Sequence, residues 1–213
     1  MVGFEYEKKY YDLGLTPVCG VDEAGRGPLA GPVCAAAVVL PPDFEIEGLN
    51  DSKKLTEKKR EYLFDVICEN ALDWCVAFAT KDEIDEINIL QATMLAMTRA
   101  INGLKKYPPK AALIDGNRCP QNLLCQSEAI VKGDAKSASV AAASVLAKVS
   151  RDRLLIEMDE KYPEYEFKRH KGYPTELHRQ KLLRYGPCNE HRITFLKKIL
   201  PPEQIEEFLN RNR

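Results

Sequence analysis

Apolar residues in this chain come in short runs, and none approaches the length needed to cross a bilayer. The longest nearly apolar stretches, residues 33–42 and 139–147, fall well short of the roughly 20 residues that a membrane span requires. No membrane association is expected. Residues 1–11 are charged and aromatic and do not read as a secretory signal, so the cytoplasm is the default compartment. The length of 213 residues allows one large domain or one domain with an appendage. With 45% hydrophobic and 30% charged residues, the chain has the make-up of a globular protein with a real core.

Residues 18–21 form an apolar run stopped by Asp22 and Glu23, and residues 32–40 form a second, Val- and Ala-rich run stopped by Pro41 and Pro42. Both read as strands. Residues 56–71 place Tyr62, Leu63, Val66 and Ile67 at helical spacing behind Thr56 and an acidic first turn, which predicts an amphipathic helix. A third strand is expected at 74–79, a helix at 89–104, a short buried strand at 111–114 and a fifth strand at 129–131. A long helix over 137–158 carries Ala138, Ala141, Val145 and Val149 on one side and ends before Pro163. This organisation predicts a main domain at 17–174 behind a short N-terminal extension at 1–16. Residues 175–213, punctuated by Gly186-Pro187 and Pro201-Pro202, read as a small helical appendage packed on that domain.

The seven cysteines are an odd number without a Cys-x-x-Cys pair, so they are expected to be reduced, with Cys19 and Cys34 as buried small hydrophobes. A net charge of -1 argues against a general polyanion binder. The charge is unevenly placed, however: residues 40–90 sum to -7 and residues 168–198 to +7, so the C-terminal region can meet phosphates.

Acidic residues stand where the apolar strands end: Asp22 and Glu23 after the first, Asp115 after Ala-Ala-Leu-Ile, and Asp134 after Ile-Val-Lys-Gly. Neighbouring strands lie about 4.8 Å apart, so such carboxylates can share one cluster, where their mutual repulsion favours a cation between them. Oxygen ligands of this kind suit magnesium or manganese. Asp22 and Glu23 face opposite sides of a regular strand and reach one cluster only at its end. Each acid also has a plain reading, Asp115-Gly116 as a hairpin turn and Gly133-Asp134 as a turn into the next helix.

The segment Val21-Asp22-Glu23-Ala24-Gly25-Arg26-Gly27-Pro28-Leu29-Ala30-Gly31-Pro32 closely resembles the signature of ribonuclease HII, the type 2 ribonuclease H family. Further motifs follow in the family's order: Asp51-Ser52-Lys53-Lys54-Leu55, Leu113-Ile114-Asp115-Gly116-Asn117, Lys132-Gly133-Asp134, Ser144-Val145-Leu146-Ala147-Lys148 and Gly172-Tyr173-Pro174-Thr175. The ending, through Gly186-Pro187 and His191-Arg192, is similar to the bacterial branch. The related ribonuclease HIII has Gly-Thr-Gly where this chain has Gly25-Arg26-Gly27.

The resemblance implies an α/β, ribonuclease H-like fold, a five-stranded mixed sheet flanked by helices with a small C-terminal helical appendage. It also implies a catalytic metal site of Asp22, Glu23, Asp115 and Asp134, holding two magnesium or manganese ions during catalysis. Two ions can activate a water and stabilise the leaving oxygen, so no nucleophilic side chain is needed, and the products carry 5'-phosphate and 3'-hydroxyl. Discrimination of RNA from DNA must rest on the 2'-hydroxyl. Gly25, Arg26 and Gly27 suit close backbone approach to a sugar, and in the family the residue matching Tyr173 stacks at the junction nucleotide and senses that hydroxyl. Lys53, Ser144, Lys148, Arg169, Lys171 and Arg184 are the other substrate-contact candidates. His170, His178 and His191 lie outside the acidic motifs and read as surface or structural residues, with phosphate contact conceivable for His170 or His191.

The function expected is endonucleolytic hydrolysis of the RNA strand of RNA/DNA hybrids and incision 5' of single ribonucleotides in duplex DNA, initiating ribonucleotide excision repair. The alternatives are another ribonuclease H-like nuclease of the junction-resolvase type and a non-catalytic hybrid-binding module. A monomer is expected. For a sliding-clamp partner the C-terminal residues offer no clear glutamine-plus-aromatic motif.

Overall fold

The computed structural model describes residues 2–42, 44, 46–50, 52, 55–197 and 199–211. Its centre is a sheet in the order β3-β2-β1-β4-β5, built from β1 (Val18–Ala24), β2 (Val33–Val39), β3 (Asp73–Ala79), β4 (Ala111–Asp115) and β5 (Gln126–Ile130). β1, β2 and β3 form an antiparallel meander, whereas β4 lies parallel to β1 and β5 parallel to β4. The expected mixed five-stranded sheet is therefore present.

β2 is buried along its whole length, and its residues alternate between two cores as a period of 2 requires. Cys34, Ala36 and Val38 face α2 (Glu57–Asn70) and α4 (Ala138–Lys161), while Val33, Ala35, Ala37 and Val39 face α3 (Lys81–Gly103). The helix α4 is buried nearly all round in its first half, because it lies directly on β1. That approach needs Gly20, where a Cβ would collide with the backbone of Ser139. No helix among the described residues is long and apolar enough to cross a membrane.

Three elements differ from the sequence expectation. α3 begins at Lys81, behind a capping box of Thr80 and Glu83, rather than at Ile89. Asn88 breaks it with φ 66°, and its Oδ1 accepts from the Leu90 and Gln91 amides at 3.0 and 3.2 Å, so the helical period restarts where the sequence places a helix start. β5 lies at Gln126–Ile130 instead of 129–131, because an edge strand pairs through its backbone and tolerates polar Gln126 and Ser127. The N-terminal extension carries a helix, α1 (Glu5–Asp12). Its Glu7 is buried against the start of α4, where Oε1 accepts from Ser137 Oγ (2.6 Å), Ser139 N (2.9 Å) and Ser139 Oγ (2.6 Å).

α5 (Phe167–His170), α6 (Glu176–Tyr185), α7 (Ile193–Leu196) and α8 (Pro202–Arg211) gather with the end of α4 around Leu155, Met158, Tyr165, Phe167, Leu182, Leu196 and Ile205. Leu29 and Ala30, from the glycine-rich segment after β1, join this cluster. All seven cysteines are free, with Cys19 and Cys34 buried as expected.

Candidate active site

The β1–β4 ladder stops at Val21 and Ile114, so Asp22 and Asp115 emerge side by side where the two strands part. Asp22 is buried opposite Ala36 of β2, and its Oδ1 accepts from the Glu23 amide at 2.7 Å. Burial first, then the charges of Glu23 and Asp115, push the Asp22 carboxyl well above the ordinary carboxylate range, partly opposed by a hydrogen bond from Ser144. Ser144 Oγ in turn lies 2.7 Å from Ser52 Oγ, which ties Ser52 to the acids. Asp115 Oδ1 accepts from Gly133 N at 2.7 Å, and this bond draws the 3₁₀ turn Gly133–Ala135, with buried Asp134, to the same strand ends.

Two small clefts meet at Glu23 and Arg26. One, of about 200 Å³, is lined by Glu23, Gly25, Arg26, Gly27, Ser52, Ser144, Lys148 and Tyr173. The other, of about 260 Å³, adds Asp115, Asn117 and Arg118. The structure thus brings Gly25, Arg26, Gly27, Ser144, Lys148 and Tyr173 together with the acids. Lys148 pairs with Asp152 at 2.7 Å and lies 5.8 Å from the centre of the Tyr173 ring. Arg26 lies 3.5 Å from Glu23. Arg169 pairs with Glu166, Lys171 Nζ donates to the Lys168 carbonyl and Arg184 stacks on Tyr185; none of these three lines either cleft. Lys53 lies outside the described residues.

The two glycines of Gly25-Arg26-Gly27 serve different needs. Gly25 has φ +97°, and a Cβ there would collide with the Arg151 side chain behind the loop. At Gly27 a Cβ would meet only the Tyr173 ring, 3.9 Å away, so Gly27 is the residue that keeps the gap in front of the ring open. Tyr173 is 38% exposed, which leaves its ring available for stacking.

Two buried arginines shape this loop. Arg151 donates to the carbonyls of Pro32, Lys171 and Ala30 at 3.0 to 3.1 Å. Arg192 donates to those of Gly31, Arg26 and Gly25 at 2.8, 3.1 and 2.7 Å. Burial, then the neighbouring Arg151, push the Arg192 guanidinium down to about 9, still charged at neutral pH. Leu29 N donates to Gly172 O at 2.8 Å, joining the glycine-rich loop directly to the Tyr173 loop. The sequence reading does not single out Arg151, although it follows Ser144 and Lys148 on one helical face at i+7, a spacing that could have found it. Ser52 and Arg192 carry no such local signal.

Of the surface and structural readings of the histidines, the structure supports the structural one. His170, His178 and His191 are all buried, which removes phosphate contact and leaves a structural role.

Oxygen-rich and charge-crowded, the acids fit hard divalent cations, and the raised Asp22 is a group whose repulsion a cation would relieve. Among the described residues, no three carboxylate, imidazole or thiol groups already stand in a closed metal-binding arrangement.

A mixed five-stranded sheet flanked by helices is the ribonuclease H-like fold, and solved structures agree. The ribonuclease H2 of Pyrococcus horikoshii superposes with TM-score 0.71 at 31% identity, covering 91% of this chain and 98% of that one. The ribonuclease HII in the PCNA:RNase HII complex from Archaeoglobus fulgidus gives TM-score 0.69 at 26% identity, covering 84% and 93%. A ribonuclease HII of Endomicrobium trichonymphae is 56% identical over 192 residues, 90% of this chain and 91% of that protein. With the family's profile matching residues 19–198, the chain belongs to the ribonuclease HII family and is a ribonuclease H-type hydrolase.

Proposed function

We propose that this chain is an endonuclease that hydrolyses the RNA strand of RNA/DNA hybrids and incises duplex DNA 5' of a single embedded ribonucleotide, the step that opens ribonucleotide excision repair. The observation that carries this reading is the shared cleft in which Glu23, beside buried Asp22 and Asp115, faces Gly25, Gly27 and Tyr173.

Asp22, Glu23, Asp115 and Asp134 would hold two magnesium or manganese ions. When bound, the ions supply activation of the attacking water and charge neutralisation at the leaving oxygen. The remaining work falls to the protein. Ser144 steadies Asp22, and the Gly133 amide holds Asp115 in place. The Gly25–Gly27 backbone, pulled back by Arg151 and Arg192, approaches the ribose and bonds its 2'-hydroxyl. Tyr173 stacks on the sugar and base at the RNA–DNA junction, with Arg26 and Lys148 beside the flanking phosphates. Lys53 is proposed as a further phosphate contact, and Arg169, Lys171 and Arg184, which line neither cleft, as more peripheral ones.

Residues 17–174 are read as the catalytic unit and 175–213 as an appendage that braces it, in a monomer acting in the cytoplasm. A sliding clamp is a further partner to test, because the Archaeoglobus relative was solved in complex with PCNA.

The test is cleavage of an RNA/DNA hybrid with product-end analysis. Divalent-dependent cuts leaving 5'-phosphate and 3'-hydroxyl support the reading, and 2',3'-cyclic phosphate ends would overturn it.

A further inference from the structure

All three histidines of the chain lie in one buried stack behind Tyr173. The rings of His170 and His178 are stacked with centroids 4.2 Å apart, and those of His178 and His191 are 5.2 Å apart. Their hydrogen bonds fix every tautomer. The Tyr173 carbonyl can only accept, so His178 Nδ1, 3.0 Å away, carries a proton. His178 Nε2 is then an acceptor, which makes His191 Nε2, at 3.0 Å, the donor. His191 Nδ1 is left to accept from Cys188 N at 2.9 Å and from the Cys188 thiol at 3.1 Å. The same logic has Gly172 N donate to His170 Nδ1 and His170 Nε2 donate to the Tyr165 carbonyl.

Both backbone polar groups of Tyr173 are held from this stack. Its N–H donates to the His170 carbonyl at 2.9 Å, and its carbonyl accepts from His178 at 3.0 Å alongside the Thr175 amide at 2.8 Å. Such a grip matters here because the ring projects over an open cleft and follows Gly172, whose φ of +78° marks a backbone that few residues can adopt.

We propose that the Cys188–His191–His178 chain is a positioning relay that fixes the Tyr173 backbone, and through it the ring, at the distance from Gly27 at which a ribose is read. The proposal rests on the role given to Tyr173 above. It makes His178 and His191 positioning residues for substrate discrimination, supplied by the C-terminal appendage.

Two amide variants separate this role from general packing. The side-chain amide of His178→Asn reaches the place of Nδ1 and can still donate to Tyr173, whereas that of His178→Gln reaches the place of Nε2 and keeps only the His191 contact. KM and kcat are measured on a single-ribonucleotide duplex and on a continuous hybrid, beside Tyr173→Ala and the double variant His178→Gln/Tyr173→Ala, below the melting temperature of each. Loss of one buried hydrogen bond corresponds to about a tenfold change, so His178→Gln should raise KM about tenfold on the single ribonucleotide and less on the hybrid. His178→Asn should raise it clearly less. In the double variant the two losses should not multiply, because both act through the same ring. Equal behaviour of Asn and Gln on both substrates, or fully multiplicative losses, would overturn the relay while leaving the role of Tyr173 standing. A silent Tyr173→Ala would overturn both. Independently of folding in the variants, imidazole ¹⁵N shifts of the unmodified protein should show His178 protonated at Nδ1 and His191 at Nε2. A proton on His178 Nε2 contradicts the relay.

Discussion

Arg192 donates from Nη2 to the carbonyl of Gly25 at 2.7 Å, across 167 positions of sequence. The same guanidinium takes the carbonyls of Arg26 and Gly31, so one buried side chain sets the curvature of the loop facing Tyr173. A lysine keeps the charge without the planar fork. Arg192→Lys is therefore expected to cost about 2–4 kcal/mol in urea unfolding, through charge-assisted bonds lost to buried carbonyls. Activity on a single embedded ribonucleotide should fall more than activity on a continuous hybrid. Equal losses on both would mean that Arg192 only stabilises the fold.

Asp22 is held in a buried, like-charged setting. Asp22→Asn keeps its shape and removes the repulsion, so the variant should bind hybrid but lose nearly all cleavage. In chelator its melting temperature should equal or exceed that of the unmodified protein, and divalent ions should raise it less. Appreciable magnesium-dependent turnover by the variant would contradict the metal assignment.

Acid should loosen the appendage. Burial, then neighbouring imidazoles, bring His178 down to about 4 and His191 to about 3, whereas unfolded histidines titrate near about 6.5. Because the folded values lie below the unfolded one, the stability these residues contribute is complete above about pH 6.5 and is lost as pH falls toward the folded values. The loss is on the order of 1.4 kcal/mol per histidine per pH unit. Urea unfolding across this range should show the fall, with a shallower slope in His178→Gln. A flat profile for the unmodified protein would contradict the buried neutral stack.

Glu7 joins α1 to the start of α4, one turn beyond Asp134. Glu7→Ala leaves the Ser139 amide without its acceptor and is expected to cost roughly 1–3 kcal/mol. Hydrogen exchange should quicken at residues 133–139 before it does elsewhere. Unchanged exchange there would mean that α1 does not brace the Asp134 turn.

What could be read in the sequence follows the range of the interactions. Asp22 and Asp115 stand where apolar strand runs end, but their assignment to one site, like that of Ser144 and Lys148, rests on the resemblance of the surrounding motifs to the family, with strand ends and a shared helix face only permitting it. The buried sheet centre announced itself through Val and Ala. The start of β5 did not, since an edge strand bonded through its backbone needs no apolar pattern. α1 was hidden for a related reason: it is tied down by the buried Glu7 and by the tyrosines Tyr6, Tyr10 and Tyr11, and no aliphatic stripe marks it. Arg192 and the histidine stack depend on chain segments meeting after long separations, and no local spacing encodes that.

The reading of one ribose between Gly27 and Tyr173 is tested most directly by incision of duplex DNA carrying a single ribonucleotide, mapped at nucleotide resolution beside an all-DNA duplex. The expected result is a divalent-dependent cut on the 5' side of the ribonucleotide, with 3'-hydroxyl and 5'-phosphate ends and no cut in the all-DNA control. Cleavage of both duplexes alike, or of continuous hybrid alone, would contradict it.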